Sequence, residues 1–234
     1  MKPLYGAAAW LFALVVVAGC ASTEITERQR YQGAKLARPD RIIVHDFTAN
    51  PAEVPPKSAF AAQLADAPAP TPQQLEVGRK LGAQVAEELV ADLRGMGLPA
   101  VPAAGQPAPR VNDLVLRGYF VSVVEGSARQ RVLVGFGRGA ADLRTAVEGY
   151  QMTATGLRPL GRGEIRSGGG DMPGMVAPLA VVAATANPIG LVVGGAVQLY
   201  GEGTGSDTIE GAAERTADEI AAQIKTAAEE QDWI

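Results

Sequence analysis

Arg41-Ile42-Ile43-Val44-His45-Asp46-Phe47 is a β-branched run closed by Thr48-Ala49-Asn50-Pro51, and residues 73–96 follow it with Leu81, Val85, Leu89 and Leu93 recurring every four positions. The first pattern predicts a strand and the second an amphipathic helix, with Gly78, Gly82 and Ala86 beside the apolar stripe. Gly95 and Gly97 offer that helix a stop, and Leu98-Pro99-Ala100-Val101 resumes as an extended piece. A strand, a helix and a strand therefore frame the fold. Between the first two, residues 51–72 hold Pro55-Pro56, Pro68 and Pro70, which remove backbone donors and fix φ. This stretch is expected to be a surface loop of about twenty residues, either a solvated excursion or a loop with a use.

Further along, residues 113–125, 131–135 and 142–153 read as a meander of strands, with a weaker one at 163–167. In the first of these, Leu114, Leu116, Phe120 and Val124 share one face and Arg117 and Tyr119 the other, which suits a sheet covered on one side. Residues 207–230 predict a closing helix: Asp207 and Glu210 have capping-box spacing, and Ile209, Ala213, Ile220 and Ile224 form a stripe. Trp233-Ile234 is apolar enough to dock back onto the domain.

Residues 172–201 contain no charge and are rich in Val, Ala, Leu and Gly, but Pro178 and Asn187-Pro188 split them into two pieces too short to cross a bilayer alone. Ala186, Gly190 and Gly194 form a row of small residues at helical spacing, which permits close helix contact within the domain or between subunits. Two readings stay open: a buried hairpin in a domain or oligomer core, and membrane association. The expected class is thus α/β, in the α+β sense: a mixed sheet covered by the amphipathic helix and a C-terminal helix, with an apolar glycine-rich helical hairpin.

Upstream of the frame, Lys2, an apolar run over residues 7–18 and Val17-Ala18-Gly19-Cys20 follow in order. This is the layout of a secretory signal, too short to span a bilayer. Cys20 is the chain's single cysteine and falls where a bacterial lipobox places the acylated residue, behind the peptidase-recognition residues Val17, Ala18 and Gly19. Its thiol is therefore expected to carry a covalent lipid, not a disulfide or a metal. The chain divides into a signal peptide at 1–19, a lipidated N-terminus and polar tether at 20–39, and a single periplasmic domain at 40–234. Ala21 stands where Asp is the usual inner-membrane retention signal of enteric-type bacteria, so the outer membrane is the expected address. The formal charge of −4 becomes more negative once Lys2 is removed, leaving no basic excess to collect phosphates. Nucleic acid is excluded as a partner on this ground, and membrane attachment falls to the acyl chains.

Gly135-Phe136-Gly137-Arg138-Gly139-Ala140 matches a dinucleotide fingerprint only superficially, because Leu143, Thr145 and Val147 alternate as a strand where a helix is required. A glycine-rich hairpin is the simpler reading. Arg129, Arg131, Arg138 and Arg144 cluster around it, a set that either receives a carboxylate or phosphate or faces water. His45 is the single histidine, and Asp46, Glu125 and Asp142 read as turn and surface carboxylates, so neither a hydrolytic triad nor a transition-metal site is expected.

The order Ile42-Ile43-Val44-His45-Asp46-Phe47, the helix over residues 78–93, Leu116-Arg117-Gly118-Tyr119-Phe120, Glu125-Gly126-Ser127, Arg131-Val132-Leu133-Val134-Gly135-Phe136-Gly137 and terminal Trp233-Ile234 resembles the bacterial lipoprotein family of domain of unknown function forty-four ten. That family carries no established activity or catalytic residues, so the resemblance implies lipidation and fold without chemistry. The chain is more distantly similar to ring-forming periplasmic lipoproteins of the outer membrane, of the curli secretion and exopolysaccharide export type. The resulting expectation is an outer-membrane-anchored periplasmic lipoprotein, not an enzyme, that acts by binding or assembly with itself or an envelope protein. A monomeric ligand-binding module is the alternative.

Overall fold

Ile42–Val44 alone form the first strand of the frame, β2, and all three of its residues are buried. The computed structural model describes residues 22–65, 69–124, 141–168, 191–192 and 208–234. Within them, β1 (Ser22–Gln29), β2, β3 (Ala100–Pro102), β4 (Leu114–Val124), β5 (Asp142–Thr153), β6 (Gly156–Gly168) and β7 (Leu191–Val192) make one mixed sheet. The order is β1-β6-β5-β4-β2-β3, with β7 also on β4. β2 runs parallel to both its neighbours, with Ile42 opposite Ala100 and Leu114. A parallel pair needs a crossover, and α2 (Pro72–Gly95) supplies it between β2 and β3.

The strand stops short of Phe47 because the backbone turns in under α2. His45 N–H still donates to the Leu116 carbonyl (3.0 Å), but Phe47 N–H donates to the Gly82 carbonyl on α2 (3.2 Å). A Cβ on Gly82 would lie 1.8 Å from the Phe47 carbonyl oxygen, and one on Gly118 of β4 would lie 1.9 Å from the Phe47 ring. Both positions therefore have room for hydrogen alone. The helix itself starts on a capping box, in which Thr71 Oγ1 accepts from Gln74 N–H and the Gln74 side chain accepts from Thr71 N–H. Its buried stripe of Leu81, Val85, Leu89 and Leu93 is the predicted one.

β4, β5 and β6, which match the strands expected at 113–125, 142–153 and 163–167, pair antiparallel in chain order with two irregularities. A register shift between Phe120 and Ser122 changes the phase of β4, so Val123 and not Val124 enters the core. β6 is far longer than residues 163–167, beginning at the Gly156 turn, where φ is +115°. Its first half is polar and includes Pro159, which stands beside a register shift at Gly149/Tyr150 and so hides the strand pattern.

Residues 22–29, expected as tether, are strand β1, antiparallel to β6 along its whole length. β1 ends the sheet, and residues 24 and 26–29 are exposed while Thr23 and Ile25 are half-buried, so its composition is that of a solvated segment. The chain beyond it is docked as well: Arg38 donates to the Gly97 carbonyl (2.7 Å), and Arg158 lies over the Tyr31 ring at 5.5 Å.

Residues 51–65 correct the loop expectation. Asn50 caps a 3-10 turn at Pro51–Glu53, and α1 (Ala61–Ala65) follows. Phe60 and Leu64 are buried against Tyr119, Val121 and Ala146, so the second face of the sheet is covered there too. The segment is fastened by Ala59 N–H, which donates to Glu148 Oε1 (2.7 Å).

α3 (Ile209–Glu230) closes the domain, packed beside α2 on the first face. Its cap is Thr208, whose Oγ1 accepts from Gly211 N–H at 3.1 Å, rather than Asp207, which lies outside the described residues. The apolar helical hairpin is corrected at its described point: Leu191–Val192 are extended and pair in parallel with Val123–Val124. The rest of residues 172–201, the strand expected at 131–135 and the glycine-rich stretch at 135–140 lie outside the described residues.

Replacing Gly82 with Ala is expected to destabilise the domain by at least about 3 kcal/mol, because no flexible side chain can yield to the new methyl. Urea unfolding of the purified domain measures it, and a change under 1 kcal/mol would contradict the close approach.

Stability should also fall on acidification in two stages. Burial acts to raise the pKa of Asp113, but hydrogen bonds from Arg41 and the Arg110 N–H outweigh it and hold the carboxyl below the usual range. The contribution of Asp113 is thus complete above about pH 4 and fades as pH falls toward the lowered folded value. Burial, reinforced by Arg117 and opposed by Asp46, lowers the pKa of His45. Protonation of the unfolded chain below about pH 6.5 therefore disfavours the fold. Melting temperatures between pH 7 and 3 should show both stages, and His45→Gln should remove the upper one alone.

Candidate functional site

The first face of the sheet thins out beneath the last turns of α3. β5 contributes Gly149 there, and β6 contributes Gly161 and Gly163. β1 explains the last two: a Cβ on Gly161 would stand 2.9 Å from the Gln29 carbonyl, and one on Gly163 would stand 3.2 Å from the Glu27 carbonyl. Gly149 is different. A Cβ there would make only ordinary contacts, 3.5 Å from Leu116 Cδ2.

An apolar cleft of about 210 Å³ remains between sheet and helix. Leu116, Val147 and Ile165 wall it from the sheet, and Ile220, Ile224 and Ala227 from α3. Trp233 and Leu36 close one end. Trp233 is 8% exposed, and its Nε1–H donates to the Leu36 carbonyl (3.0 Å). Leu36 N–H in turn donates to Gln231 Oε1 (2.6 Å), and Asp232, at φ +60°, turns the chain back after the helix. The expected docking of the C-terminus holds for Trp233, whereas Ile234 is exposed.

The rim is basic. Arg28, Arg30 and Arg162 stand on it, with Arg30 Nη1 2.8 Å from Glu230 Oε1 and Arg162 Nε 3.5 Å from Glu27 Oε1. Burial and the neighbouring Arg30 press the Arg28 pKa down against the pull of Glu230 and Glu219. The outer side is thus spanned by exposed ion pairs, and the interior is lined by hydrocarbon.

A larger, polar depression of about 620 Å³ adjoins the cleft across Gly161 and reaches Lys57, Glu148 and Tyr150. Its buried carboxylate is committed to the fold, accepting from Ala59 N–H and from Tyr150 Oη–H, each at 2.7 Å. Burial, then Glu148, pushes Tyr119 up to about 12 and raises Tyr150 as well, so both phenols stay protonated. The apolar cleft is the better candidate for a binding site.

Of the arginines expected to bind an anion, Arg144 is described and forms an ion pair with Glu164 across the β5–β6 ladder. Arg129, Arg131 and Arg138 lie outside the described residues, as do Val17, Ala18, Gly19, Cys20, Ala186, Gly190 and Gly194. Arg28 and Arg30 were legible only as tether charges, and the cleft glycines carry no pattern until their strands are paired. Among the described residues no three of His, Cys, Asp and Glu gather as a metal site, and no helix is long and apolar enough to cross a membrane.

Fold and cleft together define an α/β sheet domain with an apolar groove under its last helix. The chain belongs to the family described as Domain of unknown function (DUF4410), whose model matches residues 42–186 and therefore leaves out β1 and α3. No curated protein matches the sequence. Among solved structures it is similar to the PelC dodecamer from Paraburkholderia phytofirmans, at 16% identity, and to a point variant of that dodecamer, at 17%. Each match covers 71% of this chain and 92% of the other, with a TM-score of 0.36.

Trp233→Ala is expected to cost about 2–4 kcal/mol by opening the end of the cleft, with a larger denaturant response at Leu36 and β1 than at β2. Hydrogen exchange resolved by peptide checks the locality, and uniform deprotection would argue against a separate end wall.

Proposed function

We propose that this chain is a lipid-anchored domain at the periplasmic face of the bacterial outer membrane, and that it acts without chemistry by holding an apolar chain with an anionic end in the cleft under α3. The lipobox at residues 17–20 supports the anchor, and Ala21 supports the outer-membrane address. The observation that carries the binding role is the pairing of an apolar interior of about 210 Å³ with the arginine rim of Arg28, Arg30 and Arg162.

The energetics favour an occupant. At about 24 cal/mol per Å³, a closed void of this size costs roughly 5 kcal/mol, an upper bound for a cleft that is partly open. Water gains little there, because few polar groups face inward. A hydrocarbon chain recovers the lost contacts. The Arg30–Glu230 pair is about half exposed on both sides, so it is worth at most about 1 kcal/mol and yields readily to an incoming anion. Arg30 and Arg28 would then hold the ligand's charged end.

Residues 22–234, prepared without acylation, should bind a polarity-sensitive dye that decanoate displaces at least tenfold more effectively than decyltrimethylammonium. Gly149→Leu fills the cleft from its floor and should weaken dye and decanoate at least tenfold while leaving the melting temperature equal or higher. Undiminished binding by that variant would move the site elsewhere.

A further inference from the structure

The pairing of β1 with β6 ends at Gln29 opposite Arg162, and the chain leaves the sheet at Arg30. Two spaces meet at this corner. On β5, Val147 lines the apolar cleft and its neighbour Glu148 lines the polar depression, because successive side chains point to opposite faces. The sheet keeps the spaces apart there, whereas at the corner Arg30, Tyr31, Gly161 and Arg162 line both.

A donor at the corner lacks an acceptor. Arg162 Nε is buried and has no hydrogen-bond partner among the described residues, and Glu27 Oε1, its ion-pair partner, stands 3.5 Å away. A buried donor without a partner favours an occupant that brings an acceptor. The depression is also cationic: Arg30, Lys57 and Arg162 line it against one carboxylate, Glu148, which already accepts from Ala59 N–H and Tyr150 Oη–H. Gln29, Gln32 and Tyr31 add amides and a phenol. Arg158 lies over the Tyr31 ring, and Gly33 stands at its hydroxyl, where a Cβ would collide.

Size distinguishes a simple fatty acid from a larger amphiphile. The cleft, at about 210 Å³, falls below the range of about 300–1,000 Å³ usual for small-molecule sites, whereas the depression, at about 620 Å³, lies within it. A fatty acid fills the smaller space and leaves the larger one to water.

We propose that the ligand is a phosphoryl amphiphile with a hydroxyl-rich head, of the lysophosphatidylglycerol type, whose acyl chain lies in the cleft and whose head occupies the depression toward Lys57. Resting on the cleft binding proposed above, this adds the head group and its seat. The phosphate meets Arg30 and Arg162 at the corner, where it supplies the acceptor that Arg162 Nε lacks. Its several oxygens suit two guanidiniums on separate segments. The hydroxyls of the head then face Gln29, Gln32 and Tyr31.

The test uses residues 22–234 without acylation, which keep every described element, and a polarity-sensitive dye displaced by decanoyl-lysophosphatidylglycerol or by decanoate, equal in chain and charge. The lysophospholipid is expected to act at a concentration at least tenfold lower. Lys57→Gln, at an exposed position, should weaken it at least threefold and leave decanoate and the melting temperature unchanged. Equal potency of the two amphiphiles, undiminished lysophospholipid binding by Lys57→Gln, or equal weakening of both overturns the head-group seat, while decanoate displacement keeps the cleft reading intact. If neither amphiphile displaces the dye, the cleft reading itself fails and the head-group assignment falls with it.

Discussion

Phe47 sits where helix and sheet come closest, and the rest of the domain is arranged around that contact. It is 2% exposed, its backbone lies under Gly82, and its ring covers Gly118 and leans on Phe120 at 6.1 Å. Because two glycines give way on either side, α2 lies low enough to bury Leu81, Val85, Leu89 and Leu93 against β2 and β4. α3 then packs beside α2 instead of replacing it, and its last turns run out over β5 and β6. The cleft exists because α3 overhangs a part of the sheet where β1 presses so close to β6 that side chains are excluded.

The cleft is walled from both sides of the family boundary: Leu116, Val147 and Ile165 lie within the matched residues 42–186, whereas β1 with Arg28 and α3 with Trp233 lie outside them. The matched part holds the Phe47 contact and the meander. β1 has two duties, since the strand that carries the rim arginines at one end begins one residue beyond the proposed lipid site at the other.

Much of the frame was readable from pattern. The period of Leu81, Val85, Leu89 and Leu93 and the β-branched Ile42-Ile43-Val44 each name their element, because one face of each is buried and the spacing of side chains is then set by backbone geometry. β1 and the start of β6 were not readable, since a sheet-edge strand with one face in water is composed like a loop. Val124 was misassigned because the extra residue near Val121 moves the alternation by one, and a bulge leaves no mark in composition.

The amino-acid order by itself determined the helix stripe, the strand-helix-strand frame and the docking of Trp233, all of which depend on local spacing or on the character of one residue. Tertiary structure decided that residues 22–29 are a strand and that residues 51–65 cover the second face. It also paired Arg144 with Glu164 and opened a cleft above three glycines. These depend on which segments meet across the sheet, and a polar side chain or a glycine has no preferred neighbour until the register supplies one.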